Sequence, residues 1–459
     1  MHRSIAVFAL VLISSITSFA RAQDEENRLV KMVVDLLNGD DDSLRPLAYE
    51  QIRSGAPGEP ATQKFAEQLE SVPAAARAGL LSALADRGDA SAAPAVRALV
   101  HESKDAETRL AAIAAIGKLG NADDCKTLAS ILLEEDADAV AAARRSLTVL
   151  QDSNANHAIV EELNQTGSSQ LKVALIEVLT DRRALEKLPT IMIYAVRNDA
   201  QVRTAAMAAL GELGDASHVS GMVRGVLKAA SGKERAEAEK QVMFVCNRIE
   251  DKDRRAEPII NAMKRLSSAQ QTILLSTLGR VGGPLALAEL EKAYGSSSSS
   301  VHTAGLRAIA NWPDASIADR LIEIAKQDKH KDHQRIARMA LLRIAPLPDG
   351  RTDQEKLELL QKGMELAAST SEKTYALKRA AAIRLIETLR WVEPYLDDEH
   401  YSQQACATIV ELAHHRQLRD DNKPEFHAAL DRVIELSKDK VVVDRANRYK
   451  RGETWVRPK

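Results

Sequence analysis

Two histidine pairs are the residues of this sequence whose type and spacing could hold a metal ion. His330 and His333 are three residues apart, a spacing that places side chains on one face of a helix, where imidazole nitrogens can chelate a transition metal. Their segment, Lys-His-Lys-Asp-His, is rich in cations and falls between two predicted repeats, which favours a solvated loop. The adjacent His414 and His415 diverge, and we interpret them as cationic residues at a helix C-terminus. We therefore predict no metal site.

The three cysteines form no motif of metal or redox chemistry. The sequence contains no Cys-x-x-Cys, which excludes zinc ribbons and c-type haem by motif. Cys125 and Cys246 lie at apolar positions of a repeat, which is typical of buried thiols. No phosphate-binding loop, hydrolase elbow or dinucleotide fingerprint occurs. The sequence thus predicts no catalytic residue and no cofactor, and we expect that the chain is not an enzyme.

Composition narrows the class of protein. The 459 residues include 63 bases and 65 acids, for a net charge of −2, and are 45% hydrophobic but only 3% aromatic. Apolar content near the globular average, with little net charge, excludes a disordered chain, and three cysteines cannot form a disulfide framework. Because the chain carries no excess of positive charge, we expect that it does not bind nucleic acid.

The first 22 residues have the three parts of a secretory signal peptide. A basic start precedes an apolar run over residues 5–16 and the small-residue site Ala20-Arg21-Ala22, which predicts cleavage between Ala22 and Gln23. The apolar run would span only about 18 Å as a helix, short of a hydrocarbon core of roughly 30 Å, so a retained anchor is the less favoured alternative. The sequence predicts export to the periplasm or beyond it, with no integral membrane segment after cleavage.

A repeat runs through most of the remaining chain. Residues 109–120 and 203–214 share the pattern Arg-x-Ala-Ala-x-Ala-Ala-x-Gly-x-Leu-Gly. Equivalent apolar residues, called anchors below, recur every 31 to 36 residues, which indicates an array of repeats rather than separate globular domains. The ten anchors are Ile52, Leu84, Ile116, Leu147, Leu179, Leu210, Cys246, Leu278, Ile309 and Leu342.

Each repeat has the signals of two helices. An aspartate precedes the first helix as its N-cap, and a glycine in left-handed conformation is expected at its C-terminal end. Asp-Ala-Ser or a similar tripeptide then starts the second helix. Because two short helices cannot bury enough apolar surface alone, each pair must stack on the next. The predicted first-helix caps, glycines and second-helix caps are Asp41, Asp105 and Asp199; Gly88, Gly120 and Gly214; and Asp89, Asp215 and Asp314.

This pattern resembles HEAT-like repeats of the short phycobilisome-lyase type. Residues 199–227 match best, with Asp, Val-Arg, an Ala-rich stretch, Leu-Gly-Glu-Leu-Gly-Asp and a second amphipathic helix, and residues 105–133 follow closely. The resemblance covers about residues 40–345 and implies an all-α fold, an α-solenoid of the armadillo/HEAT type with about ten helix pairs. A related enzyme, deoxyhypusine hydroxylase, uses repeated His-Glu pairs. Only His101-Glu102 occurs here, so that activity is not implied.

The C-terminal part departs from the repeat. We divide the chain into the signal peptide, a repeat array over residues 23–346 and a helical cap over residues 347–459. The cap begins with a predicted capping box, Thr352-Asp-Gln-Glu355, and is enriched in aromatic residues, which suits a wider core. Its segment Pro394-Tyr-Leu-Asp-Asp398 resembles the C-terminal ends of exported bacterial HEAT proteins.

Two surfaces are candidates for binding. In such solenoids the second helices line an extended concave face, where Arg97, Arg224 and Arg320 are candidate contacts; simple solvation is the alternative. The basic tail over residues 440–459 contains Tyr449 and Trp455 and could dock to an acidic partner. A basic last helix matched to its own dipole is the alternative.

The sequence therefore predicts an exported, non-catalytic scaffold that binds a protein partner along its surface. A module that binds cell-wall or extracellular polysaccharide is one alternative, although sugar sites generally use more aromatic rings than this chain offers. A lyase-like enzyme subunit that handles a tetrapyrrole is the other, and only the name of the repeat type suggests it.

Overall fold

The structure is a computed structural model that describes residues 28–39 and 41–455. The predicted signal peptide and its cleavage site lie outside these residues. Among the described residues every regular element is helical, and none of the helices is both long and apolar enough to cross a membrane. The chain divides into two compact units, which meet between Gly214 and Asp215, inside the repeat array. The predicted boundary at residues 346/347 lies within the second unit and stays a prediction.

The first unit contains twelve described helices. They are residues 28–38 (α1), Arg45–Ser54 (α2), Glu59–Ser71 (α3), Ala74–Arg87 (α4), Ala93–Glu102 (α5), Ala106–Leu119 (α6), Asp124–Ile131 (α7), Ala137–Val149 (α8), Ala155–Gln165 (α9), Ser169–Asp181 (α10), Leu188–Tyr194 (α11) and Ala200–Leu213 (α12).

The second unit contains fifteen described helices. They are Val219–Lys228 (α13), Lys233–Asn247 (α14), Glu257–Met263 (α15), Ser268–Val281 (α16), Pro284–Tyr294 (α17), Ser299–Ile309 (α18), Ala318–Gln327 (α19), Lys331–Ile344 (α20), Asp353–Leu366 (α21), Thr370–Ala380 (α22), Ile386–Val392 (α23), Ser402–His414 (α24), Arg416–Asp421 (α25), Lys423–Leu436 (α26) and Lys440–Lys450 (α27).

Within each unit the helices form two layers. The first helices of successive pairs pack side by side, in the order α4, α6, α8, α10 and α12 in the first unit. In the second unit the same layer is α14, α16, α18, α20, α22 and α24. Second helices contact each other in a parallel layer, as α7 contacts α9 and α13 contacts α15. This arrangement confirms the predicted all-α solenoid of helix pairs.

The predicted anchors form the core between the layers. All ten are at most 2% exposed, including Cys246, which is the only polar-atom side chain among them. Periodicity alone located these positions, because a residue that faces the neighbouring pair must recur once per repeat. The anchor register is confirmed along the whole array.

The predicted N-caps are confirmed, with one difference at the second helices. The Asp105 carboxylate accepts the backbone N–H of Thr108 at 2.8 Å, and Asp199 accepts those of Gln201 and Val202. Asp89 and Asp215 cap a short 3₁₀ turn rather than the α-helix itself, which begins three or four residues later. The turn redirects the chain before each second helix.

The predicted left-handed glycines are confirmed at only one of the three positions. Gly88 has φ 74° and ends α4 in the left-handed region. Gly120 and Gly214 are extended, with φ of −79° and −72°, so the prediction of a left-handed residue was wrong there. At Gly120 the reason for glycine is space, since a Cβ would lie 2.6 Å from both Asp124 Oδ2 and the Ile116 carbonyl oxygen.

Arg183 adopts the conformation that glycine has in the equivalent position. It follows its anchor, Leu179, by four residues, as Gly88 follows Leu84, and its φ is 54°. A non-glycine residue in this region is strained by about 1–2 kcal/mol. Glycine would relieve that strain but would raise the entropy of the unfolded chain by an equivalent of about 0.4–1 kcal/mol.

We therefore expect Arg183→Gly to raise the free energy of unfolding by about 0.5–1 kcal/mol. Urea denaturation followed by circular dichroism measures the change. Gly88→Ala is the matched control and should lower the same free energy by a similar amount, because it forces a Cβ into the left-handed region. A neutral or destabilising Arg183→Gly would contradict this interpretation.

The C-terminal part has one continuous hydrophobic core. Leu342 of α20, Phe426 of α26 and Tyr449 of α27 belong to the same buried cluster. The predicted capping box is confirmed: the Glu355 N–H donates to the Thr352 hydroxyl, and the Glu355 carboxylate accepts the Thr352 N–H at 2.7 Å. The predicted aromatic enrichment widens this core, since Trp391, Tyr395 and Tyr401 pack against it or belong to it.

Candidate binding groove

A cavity of about 1200 Å³ opens on the first-helix layer of the second unit. It crosses α16, α18 and α20 and is bounded by Tyr375 of α22. Four arginines line it, and no aspartate or glutamate does. We call this cavity the arginine groove; its arginines are Arg280, Arg307, Arg335 and Arg343.

Two of these arginines are fixed by the chain itself. The Arg280 guanidinium lies 3.0 Å from the carboxylate of Glu239, which is 5% exposed and also accepts the Ser276 hydroxyl. Arg343 donates to the backbone carbonyls of Ala310 and Trp312, the latter at 2.6 Å. Burial lowers the pKa of Arg343 from its usual value, yet an arginine stays protonated at neutral pH. These contacts hold both side chains in place before any ligand arrives.

The other two arginines are exposed. Arg307 and Arg335 form no ion pair with any residue in the described part of the chain. Both lie on the groove wall, one on α18 and one on α20. Their charges are therefore not neutralised within the protein and are available to an anionic ligand.

The remaining lining combines hydroxyl groups with an apolar floor. Thr272, Ser300 and Thr303 offer hydrogen-bonding groups, and half-buried Ile336 and Met339 offer apolar surface. The sequence predicted a loop over Gly295–Ser300, but α18 begins at Ser299, so that part of the prediction was wrong. A ligand that alternates carboxylates with apolar groups fits this combination.

Arg97 and Arg320, which the sequence predicted as contacts on the second helices, are neutralised by their own chain. Arg97 forms two hydrogen bonds to Asp124, at 2.7 and 2.9 Å, which raise the pKa of the arginine. Arg320 binds Glu291 through two nitrogens and Glu323 through a third. Their main contribution is to link neighbouring helices.

Arg224 is placed differently from those two. Its side chain is exposed and forms no ion pair with a described residue. With Arg265 it lines a smaller cavity of about 510 Å³ on the second helices α13 and α15. Arg224 therefore stays a candidate contact, on the face opposite to the arginine groove in the helix pair.

The basic tail is largely committed to internal contacts. Tyr449 is 2% exposed, and its hydroxyl lies 2.9 Å from His414 Nδ1, so its ring is inside the core rather than available to a partner. Trp455 is partly buried against the C-terminal core and lies under the Arg445 guanidinium, 4.7 Å from its ring centre. Arg445 in turn binds Glu411. Residues 456–459 lie outside the described residues.

The cysteines and the second histidine pair are placed as follows. Cys125 and Cys246 are buried, as predicted, and burial raises the pKa of each thiol to about 12, which keeps them protonated and unreactive. His414 ends α24, as predicted. Burial, with the nearby Arg384 and His414, lowers the pKa of His415, so the expectation of a cationic residue there was wrong.

The first histidine pair does not lie in a solvated loop. His330 is the N-cap residue of α20, and His333 lies in the first turn of that helix. The His333 side chain is only 12% exposed and faces Asp328 and His302. The sequence interpretation was wrong here because both partners come from other elements, which the local run of cations does not show.

Comparisons with known proteins agree with the repeat architecture. Residues 62–148, from α3 to α8, match the family model of HEAT repeats. This confirms the predicted HEAT repeats in that stretch. No curated protein matches the chain.

Several solved structures are similar at low sequence identity. The crystal structure of Kap121p bound to Nup53p is 11% identical, with a TM-score of 0.44 over 90% of this chain and 53% of that chain. A crystal structure of Kap121p is also 11% identical, with a TM-score of 0.43 over 93% and 56%. The Kap95:Nup1 complex is 10% identical, with a TM-score of 0.39 over 93% and 68%. The chain spans a little over half the length of the Kap121p chains.

Proposed function

We propose that this protein is a non-catalytic scaffold that binds an acidic segment of a partner protein in the arginine groove. The observation that carries the proposal is the pair Arg307 and Arg335, two exposed cations without an internal ion pair in a cavity that no carboxylate lines. A carboxylate bound between them gains charge-assisted hydrogen bonds, which are stronger than neutral ones.

The dimensions of the groove suit a short peptide segment. Neighbouring helices pack about 8–10 Å apart, so the four helices α16, α18, α20 and α22 span roughly 24–30 Å. An extended chain rises about 3.3 Å per residue, which gives a segment of roughly eight residues. Because Arg280 and Arg343 are already held by internal contacts, little side-chain entropy is lost at these positions on binding.

A protein segment fits the groove better than a polysaccharide does. Tyr375 is the only aromatic residue of the lining, whereas sugar sites generally stack their ligands on several rings. Ile273, Ile336 and Met339 offer apolar surface that suits aliphatic side chains placed between carboxylates. An acidic polysaccharide is the outcome of the test below that would contradict the proposal.

Export to the periplasm or beyond is also part of the proposal. It is supported by the sequence of the first 22 residues, whose apolar run and Ala20-Arg21-Ala22 site are typical of a cleaved signal peptide. N-terminal sequencing of the protein from its native envelope fraction tests it directly. A mature N-terminus at Gln23 is expected, and a cytosolic protein that still begins at Met1 would contradict export.

The binding proposal is tested in two steps. The protein is used to capture partners from the envelope fraction, and each candidate found by mass spectrometry is purified and titrated against the protein by calorimetry. We expect saturable binding that an isolated acidic segment of the candidate reproduces and that weakens as salt is added. Binding only of polysaccharide, or turnover of a small molecule by the purified protein, would contradict the proposal.

A further inference from the structure

We propose that His302, Asp328 and His333 form a binding site for a divalent transition metal, with zinc as the favoured ion. The three side chains come from different elements of the second unit: the first turn of α18, the residue after α19 and the first turn of α20. One ligand atom from each lies within 4.8 Å of the other two. Two imidazoles with one carboxylate are a usual ligand set for zinc.

His302 is oriented as a metal ligand. Its Nδ1 faces the backbone carbonyl of Tyr294, which accepts the ring proton. The lone pair is therefore on Nε2, which lies 3.9 Å from Asp328 Oδ2. Histidine ligands in metal sites almost always donate their second ring nitrogen in this way, which fixes the tautomer and the ring plane.

Asp328 is a buried and oriented carboxylate. Its side chain is 3% exposed and accepts the Tyr294 hydroxyl at 2.6 Å and the backbone N–H of His330 at 2.8 Å. Burial alone would raise the pKa of Asp328, but these hydrogen bonds and the nearby His333 outweigh it and hold the pKa below its usual value. The cluster thus contains a buried negative charge at neutral pH.

His333 supplies an independent observation. Its Nδ1 is buried and has no hydrogen-bond partner, although it lies 3.3 Å from Asp328 Oδ1. A buried polar atom without a partner is rare in native proteins, and an unmodelled ion is one of its usual causes. A metal bound to Nδ1 would satisfy this atom and neutralise the Asp328 charge at once.

The spacing of the three ligands suits a small ion. With zinc–nitrogen bonds of about 2.0–2.1 Å, tetrahedral ligand atoms lie about 3.3 Å apart. The two measured separations from Asp328, 3.3 and 3.9 Å, are close to that value. The fourth position is open to water or to the exposed His330, whose ring centre lies 4.8 Å from that of His333. A bound ion would join α18 to α20, two helices that form the arginine groove.

The alternative without a metal is a protonated His333 paired with Asp328. Metal titration of the untagged, full-length protein distinguishes the two. By calorimetry with zinc chloride we expect one ion per chain, with release of protons as the pH is lowered toward the histidine range. With cobalt(II) we expect the strong visible absorption of a four-coordinate site.

Three variants make the test specific. His302→Gln and His333→Gln should each weaken zinc binding by at least about tenfold and remove the cobalt spectrum. His157→Gln is the matched control, because His157 forms an exposed pair with Glu161 at 3.4 Å, and its zinc affinity should equal that of the wild type. Circular dichroism checks that each variant folds, and either glutamine variant alone decides the result.

The proposal is overturned if the wild-type protein binds no stoichiometric zinc. It is also overturned if a folded His302→Gln or His333→Gln variant binds zinc as tightly as the wild type does. Because the assay uses metal alone, its result is independent of whether the arginine groove binds a protein.

Discussion

Replacing Arg338 with methionine should lower the free energy of unfolding by about 3–5 kcal/mol. Arg338 of α20 and Glu372 of α22 are 8% and 1% exposed and form two hydrogen bonds, at 2.8 and 3.1 Å. Without the guanidinium, the Glu372 carboxylate would stay buried with only the Ala368 N–H and the Ser369 cap contact as neighbours. The large loss comes from this uncompensated charge rather than from the strength of the pair itself.

The matched control is Arg390→Met. Arg390 and Glu425 form an equally short two-point contact, at 2.7 and 2.8 Å, but their side chains are 54% and 42% exposed. We expect a loss of only about 0.2–1 kcal/mol there. The double variant Arg338→Met with Glu372→Met should recover much of the stability, since it removes both charges. Equal losses in Arg338→Met and Arg390→Met, measured by urea denaturation, would show that burial of the pair is not what matters.

Reversing the two free charges of the arginine groove should lower the affinity for an acidic partner segment at least about a hundredfold. A hydrogen bond to a charged group contributes about 1.5–3 kcal/mol, and each 1.4 kcal/mol is a factor of ten in affinity. In Arg307→Glu with Arg335→Glu, two such contacts are lost and like charges replace them. Calorimetry with the isolated segment measures the change.

The double variant Arg224→Glu with Arg265→Glu is the control for total charge. It makes the same change in net charge at the smaller cavity on the second helices, where the sequence placed a candidate contact. We expect its affinity to stay within about threefold of the wild type at moderate salt, where charges beyond a Debye length of about 10 Å are screened. Loss of binding in this variant, with binding intact in the groove variant, would move the site to the second helices.

The repeat register could be predicted from the sequence because it depends on local periodicity. An anchor such as Leu278 must face the next pair once per repeat, and caps such as Asp105 act on backbone groups two or three residues away. The contacts that replace the missing glycines could not be predicted in the same way. Arg182 donates to the carbonyls of Leu147 and Leu150, more than thirty residues earlier, so its role depends on how one pair stacks on another.

The candidate sites were missed for the same physical reason. The sequence placed binding on the second helices, whereas the groove with free charges lies on the first helices, and which arginines are neutralised depends on partners in neighbouring repeats. Arg320 and Arg307 are both single arginines on helices, yet only Arg320 meets a glutamate from the preceding helix pair. Likewise, nothing near His333 in the sequence indicates that His302 lies beside it.

Cross-linking from inside the arginine groove tests the central claim most directly. A photoreactive benzoylphenylalanine is placed at Ala304, on the groove lining, and in a second protein at Ala262, on the lining of the smaller cavity. After illumination with the purified partner, mass spectrometry identifies the peptide that is joined to each position. The scaffold account predicts an acidic segment of the partner at position 304 and no specific product at 262; cross-links at 262 alone, or at neither position despite saturated binding, would contradict it.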